Sequence, residues 1–155
     1  MNLKNLLIPS IAGTTLMTLC SYAFSHAEKK NFSEPELLGR TEKRLVGISG
    51  NIAIPAGWAT HYVVGFALTL LYTILKKQAN IKPTFKTGIA FGALSGCCAI
   101  LAWKLALKIL PKRSSKFYNK YYGQLFLVHF VFAFTVLLMQ NLMQKGQFKQ
   151  RPWSS

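Results

Sequence analysis

The stretch Tyr122–Met143 has the sequence YGQLFLVHFVFAFTVLLMQNLM and contains no Lys, Arg, Asp or Glu. A helix rises about 1.5 Å per residue and needs about 20 apolar residues to cross the hydrocarbon layer of a bilayer. This stretch therefore predicts a membrane-spanning helix. Three other stretches share its character, and the four predicted spans cover residues 6–25, 54–75, 87–110 and 121–143.

These spans predict an all-α fold, an integral membrane four-helix bundle. One domain would cover residues 1–144, and residues 145–155 would form a polar tail. A soluble bundle with buried helices is the alternative, but four such spans in 155 residues leave too little polar surface. The first span could also be a signal peptide, since Ser25-His26-Ala27 resembles a cleavage site. Its length, and Lys29 and Lys30 directly after it, favour a retained helix.

The net charge of +15 arises from basic residues that lie between the spans. This arrangement is typical of a protein that contacts anionic lipid headgroups, and it argues against nucleic acid as a partner. Eleven of the 19 Lys and Arg residues lie on the side of loops 1 and 3, and this count includes Lys104 and Lys108, which can reach the headgroups from the end of the third span. The positive-inside rule therefore predicts that loops 1 and 3 are cytoplasmic.

All four acidic residues lie in the first loop, which also carries a helix signal. The stretch Ser33–Glu36 predicts a capping box with proline in the first turn. Apolar residues then recur at helical spacing, with basic residues on the other side. The residues at helical spacing are Leu37, Leu38, Thr41 and Leu45, and the basic set is Arg40, Lys43 and Arg44. We expect a short interfacial amphipathic helix over residues 34–45.

Small residues mark the faces on which the helices pack. They are Gly88, Gly92 and Gly96 in the third span, Gly57 and Gly65 in the second, and Gly13 in the first. Four-residue spacing puts such glycines on one helix face and lets another backbone approach closely. This face could serve packing within the bundle or a homo-oligomer contact. Thr14 and Thr18 of the first span lie on a weakly polar face, and we expect these three faces to meet.

Two histidines, His61 and His129, lie inside the second and fourth spans, and His26 ends the first. At about 1.5 Å per residue, His61 and His129 lie at similar depth in one leaflet. Facing imidazoles could hold a haem or a divalent metal, form part of a proton or substrate path, or make hydrogen bonds between helices. No Asp or Glu falls within a predicted span, which argues against proton-coupled exchange at a membrane carboxylate.

Three stretches, Gly13–Thr18, Phe32–Leu38 and Gly57–Gly65, resemble an uncharacterised family of small four-helix bacterial inner-membrane proteins. The resemblance implies a multipass protein of the bacterial inner membrane. It also implies that His61 belongs to a family motif, and it covers mostly the first half of the chain. The family has no assigned activity, so the resemblance implies no chemistry.

Three functional hypotheses remain open at this point. The first is a non-enzymatic packing or assembly protein that associates with itself or with a larger membrane complex. The second is a haem- or metal-binding redox protein that uses His61 and His129. The third is a small transporter whose polar path includes Thr14, Thr18, His61 and His129.

Overall fold

The computed structural model describes residues 3–108, 110 and 114–149, the last five by their backbone alone. The described chain contains five helices: α1 Lys4–Ala27, α2 Glu34–Val46, α3 Gly50–Gln78, α4 Phe85–Ala106 and α5 Ser115–Lys149. All of α1, α3 and α4, and the Ser115–Gln144 part of α5, are long and apolar enough to cross a membrane. The predicted all-α bundle with four such helices is confirmed.

Most helix ends lie outside the predicted bounds, and the end of α4 lies inside them. Helices α1 and α3 extend beyond their apolar runs, because a helix continues through polar residues once its backbone is paired. By contrast, α4 ends at Ala106, before the predicted boundary at residue 110. Helix α5 continues to Lys149, so residues 145–149 of the predicted polar tail are helical, and 150–155 lie outside the described residues.

Helices α4 and α5 pack through glycines on one side and phenylalanines on the other. A Cβ atom on any of the three glycines would approach a phenylalanine ring to 2.6–2.8 Å. The facing pairs are Gly88 with Phe134, Gly92 with Phe130, and Gly96 with Phe126. The glycine face of α4 is therefore covered by α5. We expected this face to meet the small faces of α1 and α3. That expectation is wrong, because the phenylalanine rings of α5 fill the grooves that the glycines leave.

The small faces of α1 and α3 do meet each other. A Cβ atom on Gly65 would lie 2.0 Å from the Thr14 hydroxyl oxygen, and Thr18 hydrogen-bonds His61 at 2.9 Å. Gly13, one residue from Thr14, faces α5 instead, where a Cβ atom would lie 2.9 Å from Val136. Helix α1 therefore packs on α3 with one face and on α5 with another.

Helix α2 is present where it was predicted, but it is packed into one end of the bundle on two sides. A Cβ atom on Gly39 would lie 2.2 Å from the Ala53 carbonyl oxygen, and one on Gly57 would lie 2.2 Å from the Pro35 carbonyl oxygen. These contacts join the backbones of α2 and α3. On its other side, Leu37 packs with Phe32, Trp103, Phe117, Tyr121 and Leu125.

Two details of the predicted loop helix are wrong. The Ser33 side chain makes no capping hydrogen bond. Glu36 instead accepts hydrogen bonds from Tyr22 and Asn31, so no capping box forms. Leu45, which we placed on the packed face, is 61% exposed, because α2 docks through its first two turns. Arg40, Lys43 and Arg44 are exposed as predicted.

Candidate functional site

A cavity of about 170 Å³ lies inside the bundle, and all five helices line it. Its polar lining residues are Thr14 of α1, Glu34 of α2, His61 of α3 and His129 of α5, and α4 contributes Trp103. The other lining side chains are apolar. The structure thus brings both predicted histidines to one site, and it adds a carboxyl group that the sequence placed in a surface loop.

Glu34 enters the site because it is the first residue of α2, whose docking turns this end of the helix inward. Only 1% of its surface is exposed. The amide nitrogen of Gln124 donates to Oε1 of Glu34 at 3.1 Å and to the Ser21 hydroxyl at 2.7 Å. Within the described part of the chain, Oε2 of Glu34 has no hydrogen-bond partner, and neither does Oε1 of Gln124.

The environment of Glu34 favours its neutral form. Burial raises the pKa of its carboxyl group from 4.5 to about 7, and hydrogen bonding by Ser21, by the Glu34 backbone and by Gln124 opposes this rise without cancelling it. Removing a carboxylate from water is costly unless an opposite charge accompanies it. The carboxyl group therefore exchanges its proton near neutral pH, which a solvated glutamate does not do.

His61 is held by α1. Thr18 donates its hydroxyl proton to the Thr14 carbonyl oxygen at 2.7 Å, so Nε2 of His61 must donate to the Thr18 oxygen. In a neutral imidazole with its proton on Nε2, Nδ1 is the acceptor. His61 is only 6% exposed, and its ring contributes to the cavity wall.

His129 is held by its own helix. Its Nδ1 lies 2.7 Å from the Leu125 carbonyl oxygen, which can only accept, so Nδ1 carries the proton. This leaves Nε2 of a neutral ring as an acceptor. The ring is 4% exposed and also lines the cavity. Each histidine therefore retains one basic nitrogen that its packing contacts do not use, whereas His26, the third histidine, is exposed at the end of α1.

The site does not fit a haem. Its volume of about 170 Å³ is below the roughly 300–1,000 Å³ of pockets that enclose small-molecule ligands. A divalent metal is not favoured either, because no three His, Cys, Asp or Glu side chains in the described residues form a group able to hold one. The histidines and Glu34 are therefore better suited to moving a proton or binding a small polar group.

Further polar side chains continue from the cavity toward the opposite end of the bundle. Thr69 and Thr73 follow Gly65 along α3, each donating to the carbonyl four residues earlier. The Gln140 amide donates to the Thr73 hydroxyl at 2.8 Å, and the Lys76 ammonium donates to the Gln140 carbonyl oxygen at 3.3 Å. Polar groups thus extend from Glu34 at one end to Lys76 at the other.

Sequence reasoning missed Glu34 because hydropathy assigned it to a loop. The one available signal was Gly39, since a glycine inside a short helix is unfavourable unless another backbone must approach closely. Gln124 was missed because a single amide in an apolar span has no distinctive pattern.

No protein-family model, no curated protein and no solved structure matches this chain.

Proposed function

We propose that this chain is a proton-translocating membrane protein in which Glu34 takes up and releases the proton. The observation that carries the proposal is a fully buried carboxyl group, without a cationic partner among the described residues, in a cavity shared with two histidines. Ionisable groups inside a membrane bundle are costly, so they are functional candidates. A pKa of about 7 for Glu34 suits repeated protonation and release at physiological pH.

The acceptor nitrogens of His61 and His129 would receive the proton beyond Glu34. An imidazole can bind a proton on one nitrogen and release one from the other, which makes histidine an effective relay. Thr69, Thr73 and Gln140 would continue the path to Lys76. This path retains His61 and His129 of the transporter hypothesis, with Thr14 and Thr18 beside His61 on α1, and it adds the carboxylate that this hypothesis lacked.

The proposed location is a bacterial inner membrane, with loops 1 and 3 in the cytoplasm. The excess of basic residues on that side supports this orientation. Glu34 would then exchange protons with the cytoplasm, because α2 lies within loop 1. Because α5 covers the glycine face of α4, an assembly role would need a different contact surface.

The test is proton flux in phosphatidylcholine liposomes that carry a trapped pH dye and a valinomycin-driven potassium potential. We expect wild-type protein to admit protons several-fold faster than empty liposomes, and Glu34→Gln to reduce the rate to that of empty liposomes. Glu36→Gln is the matched control, since Glu36 lies on the same helix but bonds Tyr22 and Asn31 outside the cavity. Equal rates for wild type and Glu34→Gln would overturn the proposal.

A further inference from the structure

The cavity lies between two helices that pack in different directions. Helix α3 packs mainly on α2 and α1, whereas α4 packs mainly on α5. The cavity lining includes residues from the facing sides of both, namely Val64 and Leu68 of α3 and Ala99, Ala102 and Ala106 of α4. The alanines of α4 leave room where larger side chains would close the gap between α3 and α4.

Exposure changes sharply from the rim of this cavity to its floor. At the rim, Val64 is 46% exposed and Ala102 is exposed. At the floor, Thr14, Glu34 and His129 are buried. The cavity is therefore a groove that opens sideways between α3 and α4 and leads to a buried carboxyl group.

The depth of this opening along the helices determines whether a ligand reaches it from the water or from the lipid. Val64 lies in the middle of a helix long enough to span a membrane, and Ala102 lies about 6 Å from the end of α4 at about 1.5 Å per residue. In a bilayer the rim would therefore face the hydrocarbon layer of one leaflet, close to the headgroups that Lys104 reaches. A ligand that used it would arrive from the bilayer.

The floor and the walls specify different parts of such a ligand. Glu34 and Thr14 line this cavity, and Oε2 of Glu34 and Oγ1 of Thr14 are buried without hydrogen-bond partners among the described residues, so the floor suits a donor, ideally a cation. The walls are apolar. A volume of about 170 Å³ is below the roughly 300–1,000 Å³ that enclose a whole drug-sized ligand. Only a headgroup fits, and an apolar tail would remain in the lipid.

Building on the proposed function, we propose that this groove binds a lipophilic amine, whose ammonium group pairs with Glu34 and whose alkyl chain leaves the bundle between α3 and α4. The ammonium would donate to Oε2 of Glu34 and to the Thr14 hydroxyl. The chain would lie against Val64, Leu68 and the alanines of α4. Proton translocation and amine binding would then share one carboxylate.

Binding and protonation compete at this carboxylate. At pH 6 the amine is already an ammonium ion and Glu34 is mostly protonated, so pairing requires the carboxyl group to lose its proton to the solvent. The only covalent bond that breaks is the O–H bond of the Glu34 carboxyl group, whose proton passes to water. The titratable groups that face Glu34 are Tyr22 of α1, His61 of α3, and Tyr121 and His129 of α5. No Lys or Arg is among the described groups that act on Glu34, so no permanent positive charge competes with the ammonium.

The experiment measures binding of dodecylamine, with dodecanol as the chain-matched neutral probe, to protein in phosphatidylcholine nanodiscs. Calorimetry at pH 6 in two buffers of different ionisation enthalpy gives the affinity and the proton count. We expect saturable binding of dodecylamine only, with release of about one proton per amine. Glu34→Gln should weaken binding by about tenfold or more, and Ala102→Phe should also weaken it by filling the rim. Glu36→Gln should bind as wild type does.

Equal binding of dodecylamine and dodecanol, or equal binding by wild type and Glu34→Gln, would overturn the inference. The proton count in wild type tests it independently of any variant, since an amine held elsewhere releases no proton from Glu34. Proton flux without amine binding would refute this inference alone. Amine binding without proton flux would refute the proposed function and leave the binding site in place.

Discussion

In two parts of the bundle glycines bring helices close together, but the side chains at the two contacts differ in polarity. Between α4 and α5, three glycines meet three phenylalanine rings, and these contacts are apolar. Around α1, α2 and α3, glycines also permit close approach, but there they bring together threonine, histidine and glutamate. The first interface needs only shape. The second buries polar atoms, and several of them have no partner among the described residues.

This difference shows where function is to be sought. Burying a polar group without a partner costs free energy that an apolar side chain of similar size would not require. At the three glycine–phenylalanine pairs of α4 and α5, no such group is buried among the described residues, and this part of the interface serves as scaffold. Several of the unpartnered groups lie around Glu34, in the cavity that all five helices line, so we assign the chemistry to this cavity.

The largest effect that we expect comes from Gly57→Ala, which attacks the docking of α2. The added Cβ would lie 2.2 Å from the Pro35 carbonyl oxygen and 2.3 Å from the Gly39 nitrogen, and backbone atoms cannot move aside as a side chain can. We expect a loss of about 3 kcal/mol or more in the free energy of unfolding, with Glu34 displaced from the cavity. Chemical unfolding in detergent measures the first effect, and the proton-flux assay measures the second.

Gly123→Ala is the matched control for this substitution. Nothing lies within 4 Å of a Cβ atom at this position of α5, so alanine should be neutral or stabilise the helix by about 0.5–1 kcal/mol. If both substitutions had the same effect, the backbone contact between α2 and α3 would not hold α2 in place.

The next effect concerns pH and is specific to the polar part. The pKa of Glu34 is raised in the folded protein from 4.5 to about 7, so its contribution to stability is complete below pH 4.5 and is lost as the pH rises through 7. The loss is roughly 3 kcal/mol, at about 1.4 kcal/mol for each pKa unit. Glu34→Gln cannot ionise and should not show this loss.

The measurement is thermal unfolding of both proteins in mild detergent between pH 4 and pH 8. Other groups titrate in this range in both proteins, so the relevant quantity is the difference in stability between them at each pH. We expect the stability of Glu34→Gln to increase relative to that of the wild type as the pH rises. A difference that stayed constant with pH would mean that the carboxyl group is not buried as the structure has it.

The smallest effect should come from Gly92→Ala in the apolar part. The new Cβ would lie 2.8 Å from the Phe130 ring and 3.0 Å from its Cα atom, so the ring must turn and the helices must separate slightly. We expect a loss of roughly 1–3 kcal/mol in the free energy of unfolding, with proton flux per folded protein unchanged. Phe130→Leu in the same chain should restore part of the stability. A loss of flux without a loss of stability would show that the two parts are not separate in function.

The amino-acid sequence by itself determined the number of spans, because membrane crossing depends on the length and apolar character of one continuous stretch. It also located the loop helix and both membrane histidines, which are local features. The tertiary structure alone decided that Glu34 is buried, that Gln124 holds it, and that α5 rather than α1 or α3 covers the glycines of α4. Each of these depends on contacts between residues far apart in the chain, above all on α2 folding back against α3 through Gly39 and Gly57. Local hydropathy carries no information about such contacts, so a glutamate in a polar loop gave no sign that packing would place it inside the bundle.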